Sequence, residues 1–122
     1  MKELFVCNEG DIAEGGRKVV AEDGVEIGVF RVGGAIVAWR NHCPHQGGPV
    51  CQGRTMKRVE ERLTDSKQSL GIHYVEGSLN VVCPWHGYEF DVRTGRHVGH
   101  DAMKLASVAV KNRDGAIYVV VS

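Results

Sequence analysis

Val25-Glu26-Ile27-Gly28-Val29-Phe30-Arg31-Val32, then Gly33-Gly34, then Ala35-Ile36-Val37-Ala38-Trp39-Arg40 is a strand, a two-residue turn and a second strand. Both runs are rich in β-branched and aromatic residues, which suit a pleated surface. A glycine pair supplies the positive φ angles that a tight hairpin turn demands. The same grammar continues outward. Leu4 to Cys7 reads as a strand, and Gly15-Gly16 and Asp23-Gly24 are turn signals around Arg17 to Ala21. Leu79 to Cys83 and Tyr88 to Val92 read as strands, with a turn at Arg93-Thr94-Gly95. Ala106 to Lys111, a turn from Asn112 to Gly115, and Ala116 to Val121 form a second hairpin. Many short strands at regular spacing predict an all-β antiparallel sandwich or barrel.

The chain has 122 residues, the length of one domain that buries a core without staples. Lys and Arg number 15, as do Asp and Glu, so the formal charge is zero. No global basic field exists to hold nucleic acid or an anionic membrane. The longest apolar run, Ala116 to Val121, is far below the roughly 18 residues needed for a membrane-spanning helix. Met1-Lys2-Glu3 opens no secretory signal. A cytoplasmic location is expected. Arg54 to Gln68 differs from the rest, with five basic and three acidic residues. Met56, Val59 and Leu63 fall at helical spacing there, although Val59 and Leu63 also fit a strand face. The reading is a short helix or an extended excursion, within a charged insertion at about 54–76 of a single domain spanning 1–122.

The chemistry sits in Cys43-Pro44-His45-Gln46-Gly47-Gly48-Pro49 and Cys83-Pro84-Trp85-His86-Gly87-Tyr88-Glu89-Phe90. The pattern is Cys-x-His, then 37 residues from 46 to 82, then Cys-x-x-His. Each half has Pro directly after Cys and Gly shortly after His, so each loop is stiff at one end and bends tightly at the other. Two matched Cys/His pairs argue against four unligated core residues. A structural Cys2His2 zinc site is one alternative, but zinc usually draws two Cys from one loop and two His from the other. A [2Fe–2S] cluster with two Cys on one iron and two His on the other suits one Cys and one His per loop. Of the remaining cysteines, Cys7 lies in an apolar run and reads as a buried small hydrophobe, and Cys51 as a structural thiol.

These two boxes resemble those of the Rieske iron–sulfur domain family. Phe90-Asp91 and Thr94-Gly95 are also similar to the strand and turn after the second box, and the resemblance runs from the strand before Cys43 to the C-terminal hairpin. It implies a Rieske-type fold with a small cluster-binding subdomain of two loops. It implies Cys43, His45, Cys83 and His86 as ligands of one [2Fe–2S] cluster, with the histidines at the solvent-exposed tip. There are three departures. The gap between boxes is longer than in short Rieske ferredoxins. No proline lies in Gly95–Met103, where the family's proline-bearing cover should fall. The extra disulfide cysteines of respiratory members are missing, because Trp85 stands inside the second box and Cys51 has no partner there. The chain therefore looks like the ferredoxin and dioxygenase branch.

Neutral imidazoles leave the oxidised cluster uncharged, whereas four thiolates would leave a dianion, so histidine ligation raises the potential to between about −150 and +300 mV. High-potential family members carry hydroxyls two and four residues after the second histidine. Tyr88 and Phe90 stand there, and Phe90 has no donor, which places the potential at the low end, on the order of −150 mV. Such a cluster moves one electron and offers no substrate site, and 122 residues leave no room for a mononuclear iron domain. His42 flanks the first box, and His97 and His100, with Asp101 beside them, read as surface histidines rather than a second metal face.

The expected function is electron transfer from a flavin-dependent reductase to a terminal oxygenase or other redox enzyme. The alternatives are a small subunit of a larger oxidoreductase, as in nitrite reductase, and a structural zinc module. Gln46, Gly47, Trp85 and Gly87 are expected at the docking face, with Arg54, Lys57, Arg58 and Arg62 steering the partner.

Overall fold

The computed structural model describes residues 2–44, 47–57, 59–63, 69–74, 77–85 and 87–121, with the backbone alone for 59–63, 69–74 and 100–102. The strands are β1 (Lys2–Asn8), β2 (Arg17–Glu22), β3 (Val25–Val32), β4 (Ala35–Arg40), β5 (Arg54–Met56), β6 (Val59–Leu63) and β7 (Ser69–Tyr74). They continue as β8 (Asn80–Val82), β9 (Glu89–Asp91), β10 (Arg96–His97), β11 (His100–Lys104), β12 (Ser107–Val108), β13 (Val110–Arg113) and β14 (Ala116–Val121). Every pairing is antiparallel, as the all-β reading expected.

The turn chemistry explains the hairpins. Asp23-Gly24, Gly33-Gly34 and Asp114-Gly115 all have positive φ at both central positions, the type I′ geometry that matches strand twist. Asn112 and Arg113 fall inside β13 rather than in the turn, so that turn is two residues long.

β3 and β4 form the middle of the molecule, in a sheet ordered β12-β4-β3-β2. Ile27, Val29 and Ala38 join Val6, Cys7, Ile117 and Val119 in one apolar cluster, towards the β1-β14-β13 sheet. Phe30, Val32 and Trp39 join Val81, Phe90, Val92 and Leu105 in the other, towards the β11-β10-β9-β8-β5 sheet. That two-sided burial is why β3 reads as a nearly continuous apolar run. Phe30 and Phe90 are fully buried, and burying a side chain of that size contributes roughly 1.5–3 kcal/mol. A bulge between Phe5 and Cys7 in β1 lets the consecutive Val6 and Cys7 both face the core, as expected of Cys7.

The described residues of the 54–68 segment are extended rather than helical; 58 and 64–68 lie outside the described residues. β5 joins the five-stranded sheet through β8, and β6 and β7 make a two-stranded ribbon of their own. Three apolar residues in fifteen give a helix too narrow a stripe to bury, and a short helix without such a stripe is marginal in water. A further hairpin, β10 with β11, was invisible in the sequence.

Candidate metal centre

The two boxes are loops of one design. In the first, the Cys43 N–H donates to the Gly48 carbonyl (2.8 Å) and the Gly47 N–H donates back to the Cys43 carbonyl (2.7 Å). In the second, the Cys83 N–H donates to the Tyr88 carbonyl (2.7 Å) and the Gly87 N–H to the Cys83 carbonyl (2.9 Å). Both closures are therefore Cys to Cys+5, with Cys+4 returning. Gly47 and Gly87 hold the same Cys+4 place with φ of +80° and +72°, a conformation costly for any residue with a Cβ. The paired Pro and Gly of the sequence thus close both loops by the same pair of hydrogen bonds, each leaving its Cys at the root.

The roots are buried and the tips are not. Cys43 and Cys83 are 2% and 1% exposed and belong to the same apolar cluster, while Pro44, Trp85 and Gly87 are exposed. The loops also touch. A Cβ on Gly48 would lie 2.9 Å from the Trp85 indole and 3.1 Å from the Cys83 Sγ, so the first box lies directly over the thiol of the second. His45, Gln46 and His86 lie outside the described residues. A soft-metal donor set fits this place: two buried thiols, one per loop, roofed by glycine backbone.

Residues remote in sequence brace the first loop. Cys51 N–H donates to Asn41 Oδ1 (2.8 Å), and Asn41 Nδ2 donates to Gln52 Oε1 (3.0 Å). Arg17 Nη1 donates to the carbonyls of Cys51 (3.0 Å) and Gly53. Cys51 itself is a free, fully buried thiol that donates to the Trp39 and Arg40 carbonyls (3.6 and 3.7 Å). Burial pushes its pKa up to about 12, partly opposed by the Gly28 backbone and Arg17. The neutral thiol is favoured in the fold. Its contribution to stability is intact below the ordinary thiol pKa and declines as pH rises from there towards 12. Native Cys51 should resist alkylation at pH 8. Denatured, metal-stripped protein without reductant should titrate four free thiols, and a count of two would show a disulfide.

His97 is no plain surface histidine. Its ring meets those of Tyr88 and Phe90 edge-on (5.3 and 5.5 Å), and its Nδ1 accepts the Gly99 N–H (3.0 Å). It buttresses the second box. No signal short of the β9–β10 pairing (His97 opposite Phe90) could have placed it there. The side chains of His73, His100 and Asp101 lie outside the described residues.

Of the charged segment, Lys57 lies away from the boxes. Lys57 lines a groove with Glu14, Gly33 and Gly34, at the far end of β4 from Cys43. Six strand residues span about 20 Å, so Lys57 stands that far from the loop tips. Arg54, opposite Val82, stays beside the second box, while Arg58 lies outside the described residues, as does the Arg62 side chain.

A family model for the Rieske [2Fe-2S] domain matches residues 2–112. The chain belongs to that family, whose prosthetic group is a [2Fe–2S] cluster. It is 30% identical to the 3-phenylpropionate/cinnamic acid dioxygenase ferredoxin subunit of Photorhabdus laumondii, over 100% of this chain and 97% of that one. Among solved structures, the ferredoxin of carbazole 1,9a-dioxygenase from Nocardioides aromaticivorans shares 20% identity and covers all of both chains, at a TM-score of 0.67. A putative NADH-dependent nitrite reductase small subunit from Mycobacterium tuberculosis shares 17% over 99% of this chain and 96% of its own, at 0.68. These two structural likenesses bear on the fold. No helix among the described residues is long and apolar enough to cross a membrane.

Proposed function

We propose that this chain is a Rieske-type ferredoxin that accepts one electron from a flavin-dependent reductase and passes it to a terminal oxygenase. Cys43, His45, Cys83 and His86 are the proposed ligands. The observation that carries the reading is the gradient from buried thiols, 1–2% exposed, to exposed residues beside them, Pro44 in the first loop and Trp85, 59% exposed, in the second. The cluster, when bound, supplies a one-electron couple. The chain's own part is to exclude water from the sulfurs, through Val50, Val81 and Phe90, and to leave the tip open for a partner. Trp85 offers that partner an aromatic surface of the kind enriched in interfaces.

A dioxygenase ferredoxin subunit matched over 97% of its length supports the shuttle. A carbazole dioxygenase ferredoxin, in a structure that holds its oxygenase as well, has the same fold at a TM-score of 0.69. The nitrite reductase small subunits share the fold too, and a stable stoichiometric complex on purification would favour that second reading.

The EPR spectrum of the dithionite-reduced protein is the test. It should show the lowered average g of mixed Cys/His ligation, with about two iron ions and two acid-labile sulfides per chain. A colourless, zinc-loaded native protein would overturn it. Trp85→Ala should leave that spectrum unchanged and weaken transfer to the partner, by about 5- to 30-fold if Trp85 is an anchor worth 1–2 kcal/mol. An unaltered rate would move the docking face elsewhere.

A further inference from the structure

Cations outside the charged segment stand closer to the first box than Lys57 does. Arg40, His42, Pro44, Lys104 and Ala106 line a groove of about 290 Å³ beside the first box. Pro44 stands between Cys43 and His45, so this groove reaches the loop itself. The His42 ring lies against Gly47, where a Cβ would come within 3.0 Å of its Cε1. Arg40 and Lys104 are exposed and have no carboxylate partner among the described residues. Among the described residues no acidic side chain lines the groove.

A second observation points the same way. Arg96 is the register partner of Lys104 across β10 and β11. Residues directly opposite share a face, so two exposed cations stand side by side, an arrangement that destabilises a sheet. Elsewhere some surface cations are paired, while Lys18, Arg54 and Arg93 likewise have no carboxylate partner among the described residues. On the opposite sheet Lys111 and Arg113 close on Glu3 (3.0 and 2.7 Å), and Lys2 closes on Glu22 (2.8 Å). Arg40 and Lys104 therefore stand unneutralised, among the described residues, in the groove beside the first box, and Arg96 adds a third cation opposite Lys104.

We propose that Arg40, Arg96 and Lys104 form a docking rim for carboxylate side chains on the protein that exchanges electrons with this one. The proposal rests on the electron-carrier reading and adds the charge of the partner's face. Distance decides between this rim and Lys57. The Debye length is about 10 Å at 0.1 M salt, so a charge about 20 Å from the tip is largely screened there, whereas the rim touches the loop. Opposite charge at such a rim acts mainly on the association rate.

The test uses two haem proteins of opposite surface charge as one-electron acceptors, acidic cytochrome b5 and basic cytochrome c. In each reaction one electron leaves the reduced protein and converts ferric haem to ferrous. The second-order rate with cytochrome b5 should fall as salt rises. Arg40→Glu with Lys104→Glu should lower it about tenfold at low salt and raise the rate with cytochrome c. Arg40→Gln with Lys104→Gln should give half the effect, in case reversal disturbs the sheet, and Lys57→Glu should change little. Unchanged EPR in every variant confirms the site is intact. Equal, salt-insensitive rates in wild type and variants overturn the rim but leave the carrier reading standing. If the wild type reduces neither acceptor, the carrier reading itself fails. Inhibition by 10 mM phosphate at constant ionic strength would show a small-anion site and overturn protein docking.

Discussion

Gly53→Ala should cost this protein its cluster. The φ of Gly53 is −76°, open to any residue, so the obstacle is space alone. A Cβ there would lie 1.7 Å from the Val82 carbonyl oxygen, 2.7 Å from its carbon and 3.2 Å from the Val50 oxygen. All three are backbone atoms and cannot rotate aside. The next residue, Arg54, pairs with Val82, and Val82 runs straight into Cys83. Relief of the clash must push β5 off β8 at the root of the second box, while Arg17 and Asn41 hold the first box to the same segment. Overpacking of that kind, with nowhere to yield, costs about 3 kcal/mol or more. For a domain this size that lowers Tm by more than about 10 °C. Gly10→Ala, with nothing within 4 Å of the added carbon, is the control and should be nearly silent. The two variants are compared by cluster absorbance per chain and by Tm. A coloured Gly53→Ala protein melting with the control would refute this account of how the boxes are held together.

Gly53 shows what the sequence conceals. The boxes were legible because their chemistry is local: Cys, Pro and Gly at fixed offsets specify a loop closed on itself, and both loops close as those offsets require. The I′ hairpins were legible for the same reason. What failed was everything that depends on a distant partner. Arg17 and Asn41 act on the backbone of 51–53, and carbonyl acceptors leave no trace in a residue pattern. β10 and β11 are short and lack alternation, so nothing announced the hairpin that sets His97 against Tyr88 and Phe90. Met56, Val59 and Leu63 keep helical spacing by coincidence within strands. The placing of Lys57 followed from direction. β5 runs antiparallel to β8, and β8 runs towards Cys83, so the chain leaving β5 must head away from the loops.

Exchanging the proposed ligands should separate cluster assembly from cluster charge. Cys83→Ala should give a colourless protein. Its sulfur is 1% exposed beneath Gly48, and the remaining buried thiol of that core, Cys51, is no substitute. Cys51 donates to the carbonyls of Trp39 and Arg40 and is held protonated by a pKa near 12, whereas a metal needs the thiolate. His86→Cys is a different change. It replaces a neutral imidazole by a thiolate, which is itself a ligand for this kind of iron. A coloured protein is expected, with one more negative charge in both redox states. An electron added to a more negative centre is held less tightly, so the potential should fall from the neighbourhood of −150 mV towards the about −400 mV of all-cysteine ferredoxins. His45→Cys should do the same, because it adds the same negative charge to the centre. The measurement is a redox titration followed by EPR, with average g rising towards the four-cysteine value as the potential drops. If His86→Cys keeps both the potential and the g values of the parent, His86 is not a ligand and the proposed set of four is wrong.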